Sequence, residues 1–438
     1  MLKFRWETEF KETGIGRLKT QSENNYYIFT QGVHGKIPRD WEMKKISEDY
    51  NVNTGNRISP TSEGLIPVYG ANGFSGYSEG FMINEAAIVT GRVGTIGQVF
   101  CVDGKVNISD NALYITKKND EAVLNFLYYA MKFVFKNVKE VLNVGTSQPL
   151  IKQSEVKRFS VPFPDFTEQS LIATVLSWLD NLLKNKERQN EILEETAVAI
   201  FKSWFIDLEP FKHIEFKPNE LGEIPKGWDV RPIGEIADLR NGFSYAGKEK
   251  YNEPIEKSHV FITLNNVIEG GGFKPEYSWI KSDRLKDHHF LDEGDLILTN
   301  THFGVGGSEV ERLLATPAIV FFPHGYNERK GVYSHHITKI SPKNPNYRLF
   351  LYLFLKITKE ESVSFATGTG VLGLDLDNFK QNKIVLCPPE PVLEKFASLV
   401  QPLFQKIVTN KKQVMVLIRI RDTILPLLVS GKLRVEEI

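Results

Sequence analysis

Cysteine, an excess of charge of one sign and long apolar runs are all scarce or missing in this sequence. Only Cys101 and Cys387 occur among 438 residues, too few for a disulfide framework or a cysteine-based zinc site. Lysine and arginine number 54, as do aspartate and glutamate, so a histone-like binder that relies on a global positive field is excluded. No run of about 18 apolar residues exists that could span a membrane, and the first residues lack a signal-peptide pattern. We therefore expect a protein of the reducing cytoplasm.

The sequence motifs of several enzyme classes are also missing. No Gly-x-x-x-x-Gly-Lys-Ser/Thr phrase occurs, which excludes a P-loop ATPase. The glycines of Gly91–Gly97 lack the dinucleotide-binding spacing,. The pair Pro388-Pro389 lacks the polar and aromatic neighbours with which amino-methyltransferases hold a base, and no Pro-Asp phrase is followed at nuclease spacing by Glu-x-Lys. We predict a chain with no catalytic residues, no metal and no cofactor of its own.

Two histidine pairs keep a rival prediction open. Adjacent strand residues point to opposite faces, so neither pair can chelate one metal ion alone. Acidic residues lie near the first pair, and a metal-dependent nuclease built from these groups remains an alternative. A protein-interaction scaffold without a role on DNA is a second alternative. The residues concerned are His288, His289, His335 and His336, with Asp287, Asp292 and Asp295.

An internal repeat organises the chain. The phrase Gly-x-Ile-Pro-x-x-Trp of Gly35–Trp41 recurs as Gly222–Trp228. The shift that carries Ile37 onto Ile224, here called the head shift, also places Gly55 on Gly242. The Pro-x-x-Trp part is typical of a turn that leads into a domain, with the indole as an anchor. We therefore predict two similar domains in tandem.

A second correspondence closes each copy with a long helix. Apolar residues step by four and three after Pro164 and again after Pro389, which indicates a heptad seam. The shift that carries Pro164 onto Pro389, here called the helix shift, places Asn185 on Asn410 in the seam. An isolated seam Asn fixes register and partner at a cost in stability, so we predict that the two helices pair. The residues predicted to form the pairing or subunit interface are Trp178, Leu182, Asn185, Ile192, Trp204, Ile407, Asn410, Val414, Leu417 and Ile424; Leu179, Leu183, Leu193 and Phe201 broaden the apolar stripe toward a partner.

These landmarks define an α/β (α+β) protein of five segments. Hydrophobic residues make up 41% of the chain, enough for a core in each half. Each half contains short strands and one short apolar helix, predicted over Val123–Val134 and Tyr347–Ile357. The predicted segments are an N-terminal arm (1–34), a first α/β head (35–163), a first long helix (164–210), a second head (211–387) and a second long helix (388–438).

This organisation resembles one family, the DNA-specificity subunits of type I restriction-modification systems. Four motifs carry the resemblance: the two Gly-x-Ile-Pro-x-x-Trp phrases, the phrase Gly-Thr-Ser-Gln-Pro-Leu-Ile-Lys of Gly145–Lys152, and the helix end Ile200–Phe205. In the second copy, Gly368–Leu374 keeps only the glycine and threonine of the third motif. The resemblance covers essentially the whole chain after about residue 35.

The resemblance implies a non-catalytic reader of double-stranded DNA. Each head would be a target recognition domain for one half of a split, asymmetric site. The two helices would pair as an antiparallel coiled coil with pseudo-two-fold symmetry, set the spacing of the half-sites and dock two methyltransferase (modification) subunits. S-adenosylmethionine is then expected on those subunits, and ATP and Mg²⁺ with restriction (motor-nuclease) subunits. No membrane partner is expected.

Polar residues in the predicted loops are the candidates for DNA binding. Arg pairs with guanine and Asn or Gln with adenine at base edges, whereas Lys, Thr and backbone amides hold phosphate. The same residue types dominate ordinary turns for backbone reasons, so only part of the set is expected to contact DNA. In the first head the candidates are Asn56, Arg57, Ser59, Asn72, Arg92, Thr95, Gln98, Thr146, Ser147, Gln148 and Lys152; in the second they are Asn241, Tyr245, Asn265, Asn266, Asn300, Thr301, His302, Thr367 and Thr369.

Overall fold

A computed structural model of the chain describes residues 2–6, 10–12, 36–94, 96–135, 150–220, 222–302, 313–326, 330–368 and 372–437. The chain divides into two compact units. Unit 1 comprises Met1–Leu183 with Leu417–Ile438, and unit 2 comprises Lys184–Val416.

Within its described residues, the first head consists of short strands and three helices. It is followed by the long helix α4 (Phe166–Phe205), which begins where Asp165 Oδ1 accepts a hydrogen bond from the backbone N–H of Glu168 at 2.8 Å. The elements before α4 are β1 (Leu2–Trp6), β2 (Phe10–Glu12), β3 (Lys36–Pro38), β4 (Glu42–Lys45), β5 (Tyr50–Thr54), β6 (Ile66–Gly70), β7 (Gly73–Ser78), β8 (Ile83–Asn84), β9 (Ala87–Gly91), β10 (Val99–Val102), β11 (Lys105–Ile108), β12 (Ala112–Lys117) and β13 (Ser160–Phe163), with helices α1 (Ile46–Asp49), α2 (Leu124–Phe135) and α3 (Gln153–Arg158).

The second head has a similar make-up. It ends in the long helix α9 (Glu390–Val429) and a last strand, β30 (Leu433–Glu437). The elements before α9 are β14 (Phe216–Asn219), β15 (Gly222–Pro225), β16 (Asp229–Pro232), β17 (Ala237–Asn241), β18 (Lys250–Tyr251), β19 (His259–Ile262), β20 (Ser278–Ile280), β21 (Phe290–Asp292), β22 (Leu296–Thr299), β23 (Thr301–His302), β24 (Pro317–Ile319), β25 (Lys330–Tyr333), β26 (Ile337–Pro342), β27 (Ala366–Thr367), β28 (Leu372–Leu374) and β29 (Ile384–Cys387), with helices α5 (Ile233–Ile236), α6 (Tyr347–Ile357), α7 (Lys359–Val363) and α8 (Leu376–Asn382).

The two heads share one sheet topology. One sheet has the order β10-β9-β12-β5 in the first head and β24-β22-β26-β17 in the second. The other has the order β7-β6-β11-β8 in the first head and β20-β19-β25-β21, extended by β18, in the second. In both, one neighbouring pair is parallel, β6 with β11 and β19 with β25. The repeat read from the sequence is therefore a structural repeat.

The strands form as their sequences dictate. All five residues of β9 are buried, and a continuous apolar run suits a strand that is covered on both faces. The predicted short apolar helices occur as α2 and α6, and their buried side chains lie in the cores of the respective heads. Trp41 and Trp228 of the repeated phrase are both almost fully buried, 0% and 2% exposed, as anchors of their heads.

The two long helices pair in antiparallel fashion, as predicted. In unit 2, Asn410 bonds to Asn190, whereas Phe396 packs against Phe201, so residue numbers rise along one helix as they fall along the other. In unit 1, Arg421 pairs with Asp180. Each unit thus contains a stretch of both helices.

The predicted seam of the first long helix is displaced from the buried stripe. The buried apolar residues of α4 are Ile172, Ala173, Val175, Leu176, Leu179, Leu183, Ala197, Phe201 and Phe205. Trp178 and Ile192 are 67% and 47% exposed, and Asn185 is exposed, so these three do not lie in the seam. Apolar residues occur in adjacent pairs at 171–172, 175–176, 178–179 and 182–183, so α4 carries two neighbouring apolar stripes. Ile172 and Leu176, of the stripe not predicted, pack in the core of the first head. Tertiary packing thus selects the neighbouring stripe.

The predicted seam of the second long helix is correct over its N-terminal half. Phe396, Val400, Ile407 and Asn410 are all buried, and Leu403 is half-buried. The remaining positions, Val414, Leu417 and Ile424, are half-buried.

The segment predicted as an N-terminal arm contributes two strands to unit 1. β1 pairs antiparallel with β30, which joins the two ends of the chain. β2 pairs antiparallel with β3 at the start of the first head. Among the described residues, no helix combines the length and apolar character that a membrane span requires.

Candidate nucleic-acid interface

One edge of the first head gathers predicted DNA-binding residues from separate loops. β12 runs antiparallel to both β5 and β9 and pairs Leu113 with Thr54 and with Thr90. The loops that follow β5 and β9 therefore leave the sheet at the same edge, beside the loop that enters β12. The candidates here are Asn56, Arg57 and Ser59 after β5, all exposed, and Arg92 after β9, which is half-buried.

Arg92 is the centre of this edge. Its backbone N–H donates to the Asn111 carbonyl at 2.8 Å, and its Nη1 lies 3.4 Å from the Asp110 carbonyl. Its Nε is buried with no partner among the described residues. Its carbonyl accepts from the N–H of Ile151 at 2.8 Å, so the end of the predicted Gly145–Lys152 loop reaches the glycine turn.

Asn111 brings a third loop to the same edge. The turn between β6 and β7 carries the exposed Asn72, and the neighbouring Ala71 N–H donates to Asn111 Oδ1 at 3.0 Å. Sequence reasoning missed Asn111, because an Asn before a strand is ordinary turn chemistry. The helix shift places Asn111 on His336, a member of one of the histidine pairs already noted in the second copy. This correspondence is the signal that would have drawn attention to Asn111.

Gln98 and Lys152 complete the described part of this edge. The Gln98 carbonyl accepts from Thr90 Oγ1 at 2.8 Å, which holds it beside the end of β9. Lys152 follows Ile151, and its backbone N–H donates to Glu155 at the start of α3. Both side chains are exposed.

Several predicted residues lie outside the described part of the chain. They are Thr95, Thr146, Ser147, Gln148 and Thr369, and the side chain of His302 also belongs with them.

The second head forms the equivalent edge around Asn300. The Asn300 N–H donates to the His336 carbonyl at 3.0 Å, as that of Arg92 does to Asn111. The Asn300 carbonyl accepts from the N–H of Leu374 at 2.7 Å, as that of Arg92 does from Ile151. The described end of the segment equivalent to the Gly145–Lys152 loop therefore meets its strand end as Ile151 does in the first head, although the segment keeps little of the motif.

Asn300 and Thr338 hold the side chain of Asn241. Asn300 Nδ2 donates to Asn241 Oδ1 at 2.9 Å, and Thr338 Oγ1 donates to the same oxygen at 2.7 Å. Asn300 is 5% exposed, whereas Asn241 is exposed. The prediction that Asn300 contacts DNA therefore needs correction. Its side chain is buried inside the head, where it orients the side chain of Asn241. Thr338 was missed because a strand Thr is unremarkable in sequence.

Asn266 also belongs to the interior, contrary to the prediction. It is 0% exposed, its Oδ1 accepts from the N–H of Thr263 at 2.8 Å, and its Nδ2 donates to the carbonyls of Lys274 and Glu276. These bonds close the loop after β19, as an Asn in a turn commonly does. The neighbouring Asn265 is exposed.

The other candidates of the second head flank the Asn241 side chain or the adjoining strands. Thr301 is half-buried and donates from Oγ1 to Asn300 Oδ1 at 2.7 Å. The Tyr245 ring lies 6.1 Å from that of His335. Thr367 is exposed on β27, which pairs with β28.

The histidine pairs lie at the surface of the second head, with His288 exposed and His289, His335 and His336 half-buried. The rings of His335 and His336 lie 3.8 Å apart, and burial, followed by the neighbouring His335, lowers the pKa of His336. His289 Nδ1 accepts from the N–H of Lys286 at 3.0 Å. Asp295 is ion-paired with Lys339 at 2.6 Å. Among the described residues, no group of three or more His, Cys, Asp or Glu side chains is arranged to hold a metal ion.

The long helices leave large apolar side chains uncovered. Trp178 borders a groove lined by Asn125, Ala173, Thr174 and Asn181 in unit 1. Trp204, in unit 2, is half-buried and packs 5.8 Å from the Phe211 ring. An exposed tryptophan at the rim of a groove is the kind of side chain that anchors protein interfaces.

Two repeated heads, each with a polar edge at the same strand ends, on a pair of long helices, define a tandem recognition protein. A family described as "Type I restriction modification DNA specificity domain" matches the chain twice, over residues 38–195 and 225–415. The chain therefore belongs to the type I restriction-modification specificity family.

Individual relatives agree with this assignment. The type I restriction enzyme MjaIX specificity subunit of Methanocaldococcus jannaschii is 35% identical, covering 100% of this chain and 99% of its own. The MjaVIII specificity subunit of the same organism is 25% identical, covering 93% and 96%. The crystal structure of the type I restriction-modification S subunit from M. genitalium shares the fold, with a TM-score of 0.57 at 18% identity, and covers 92% of this chain and 98% of its own.

Proposed function

We propose that this chain is the non-catalytic DNA reader of a type I complex, and that each head reads one half of a split, asymmetric site. The supporting observation is that both heads present polar side chains at the same topological edge, around Arg92 in one and Asn241 in the other. Because different residues occupy equivalent places, the two half-sites would differ in sequence.

The chemistry of each edge indicates what it would bind. Arg92 suits guanine or a backbone phosphate, Asn72 suits a base edge, and Lys152 suits phosphate. In the second head, Asn241 Oδ1 already accepts two hydrogen bonds, and its amide Nδ2 has no partner among the described residues. That amide is therefore oriented to donate to an acceptor, such as a purine N7 or guanine O6.

The paired helices would set the distance between the half-sites and dock two modification subunits. Each helix has 40 residues, or roughly 60 Å at about 1.5 Å per residue, which is comparable with one to two turns of DNA at about 34 Å each. The exposed Trp178 is a candidate anchor for such a subunit. S-adenosylmethionine would be bound by the modification subunits, and ATP and Mg²⁺ would act with restriction subunits.

Substitutions in one head should affect one half-site only. In the assembled methylating complex, Arg92→Ala is expected to relax methylation specificity in one half of the motif, and Asn241→Ala in the other, by about 1–3 kcal/mol per lost base contact. Arg158→Ala and Asn252→Ala change exposed residues of the same types that are not among the predicted DNA-binding residues and serve as controls. The assay measures methylation rates on duplexes altered in either half. If either variant lost specificity equally in both halves, or if neither variant lost any, the proposal that each head reads one half-site would be refuted.

A further inference from the structure

Asp180 of the first long helix is a hub of partly buried polar contacts in unit 1. Its Oδ1 accepts from Arg421 Nη1 of the second long helix at 3.0 Å. Its Oδ2 accepts from Tyr129 Oη of α2 at 3.0 Å, and Lys132 Nζ lies 3.9 Å away. The side chains of Asp180 and Arg421 are 15% and 22% exposed, so the pair is shielded more than a surface ion pair.

The repeat shows what Asp180 would face if two copies of the same helix paired. The helix shift places Thr196 of the first helix on Arg421 of the second. In a pair of two first helices, Asp180 would therefore lie opposite Thr196, and the guanidinium of Arg421 would be absent. In a pair of two second helices, Arg421 would lie opposite Gln405, the equivalent of Asp180. Either like pair would therefore lose the direct ion pair between the helices, which costs stability. Lys132 would stay near Asp180, and Asp422 would stay bonded to Arg421, so each charge would keep one weaker or more exposed partner.

Asn410 discriminates against one of these alternatives independently. It is 0% exposed, accepts from Lys186 Nζ, and donates to Gln189 and Asn190 at 3.3 and 3.0 Å. On a second copy of α9, the positions of Gln189 and Asn190 are taken by Val414 and Met415. A buried amide facing these apolar side chains would lose both acceptors of its Nδ2, which costs stability. The donor to its Oδ1 would be kept, since the helix shift places Lys411 on Lys186.

We infer that the two long helices of one chain pair with each other in preference to the same helix of a second copy. The ion pair of Asp180 with Arg421 and the hydrogen bonds of Asn410 with its amide partners both favour this pairing. This choice of partner by the helices does not depend on DNA binding.

A nicked full-length chain makes this choice measurable. A protease site is inserted after the exposed Glu220, and the folded protein is cut into fragments 1–220 and 221–438. Unlabelled and isotope-labelled nicked proteins are mixed, dissociated in urea, diluted and examined by native mass spectrometry. A complex that contains one labelled and one unlabelled fragment shows that fragments have exchanged between molecules. The urea concentration is raised until such complexes of 1–220 with 221–438 appear.

After exchange, we expect complexes of 1–220 with 221–438 to predominate. Complexes of two 1–220 fragments, or of two 221–438 fragments, should amount to no more than about a tenth of the unlike complexes. Thr196→Arg supplies a cation opposite Asp180 in a 1–220 pair, twice by symmetry, and should raise that pair about threefold or more. Thr174→Arg is the matched control, because Thr174 is likewise exposed and likewise bonds the carbonyl four residues earlier. Like pairs in statistical amounts in the unsubstituted protein, or equal effects of the two arginines, would overturn the inference.

Discussion

At Gly55 the backbone passes so close to a neighbouring strand that a side chain does not fit. A Cβ there would overlap the carbonyl oxygens of Ser109 and Ile108. Gly242 meets the carbonyls of Ser334 and Tyr333, the repeat equivalents of these residues. The same close approach, made twice by equivalent residues, explains why the repeat keeps both glycines.

Alanine at either glycine should therefore destabilise the protein. We expect Gly55→Ala and Gly242→Ala each to lower the free energy of unfolding by more than about 2 kcal/mol, because backbone must move to admit the methyl group. Urea denaturation measures the change. Gly80→Ala and Gly247→Ala are controls, since nothing lies within 4 Å of a Cβ at those positions. Losses no larger than those of the controls would contradict the close approach.

Lys411 gives unit 2 a defined pH dependence. Burial lowers the pKa of Lys411 from 10.5 to about 8, and its Nζ donates to the Phe273 carbonyl at 2.7 Å. Between pH 8 and 10.5 the unfolded chain therefore binds more protons at this residue than the folded one, so its contribution to stability rises with pH in that window.

The wild-type protein should gain about 1–2 kcal/mol from this residue between pH 7.5 and 9.5. Lys411→Met should remove that gain, which urea denaturation at the two pH values measures as a difference between the proteins. Lys412→Met tests the neighbouring lysine, which is ion-paired with Glu293 at 2.6 Å. An equal pH response of wild type and Lys411→Met would show that the lysine titrates normally.

At the scale of elements, the long helices show what periodicity can and cannot predict. The positions of α4 and α9 and their pairing follow from heptad spacing and from the residues that begin each helix. The choice between two adjacent apolar stripes on α4 depends on which side chains the first head recruits, and that is long-range information. The polar Asn in the seam is likewise shared by both copies in sequence, but only Asn410 is buried, because Asn185 lies on the exposed side of α4.

The buried Asn410 should fix the register of the helix pair. We expect Asn410→Leu to keep the free energy of unfolding within about 1 kcal/mol or to raise it, while register becomes less well defined. Spin labels at Arg188 and Gln413, both exposed in unit 2, measure the distribution of distances between the helices after the exposed Cys101 is replaced by serine. The distribution should broaden in Asn410→Leu and not in Thr409→Leu, its more exposed neighbour. Unchanged distributions in both would assign register to the apolar side chains alone.

At the scale of the whole molecule, the repeat made the architecture predictable. The repeated Gly-x-Ile-Pro-x-x-Trp phrase, the head shift and the helix shift together located both heads and both helices. The polar edges were predictable only in part. Loop residue types pointed to Arg92 and Asn241, but the same types include Asn266 and Asn300, whose roles in closing a loop and orienting a neighbour depend on contacts that sequence does not display.

The most direct test of a DNA reader is methylome sequencing of host DNA with and without this gene, recording N6-methyladenine. Deletion is expected to remove methylation from one split motif with a fixed internal gap, and re-expression is expected to restore it. If the host expresses a modification subunit and the methylome stays unchanged on deletion, the chain does not direct methylation and is not the DNA reader proposed above.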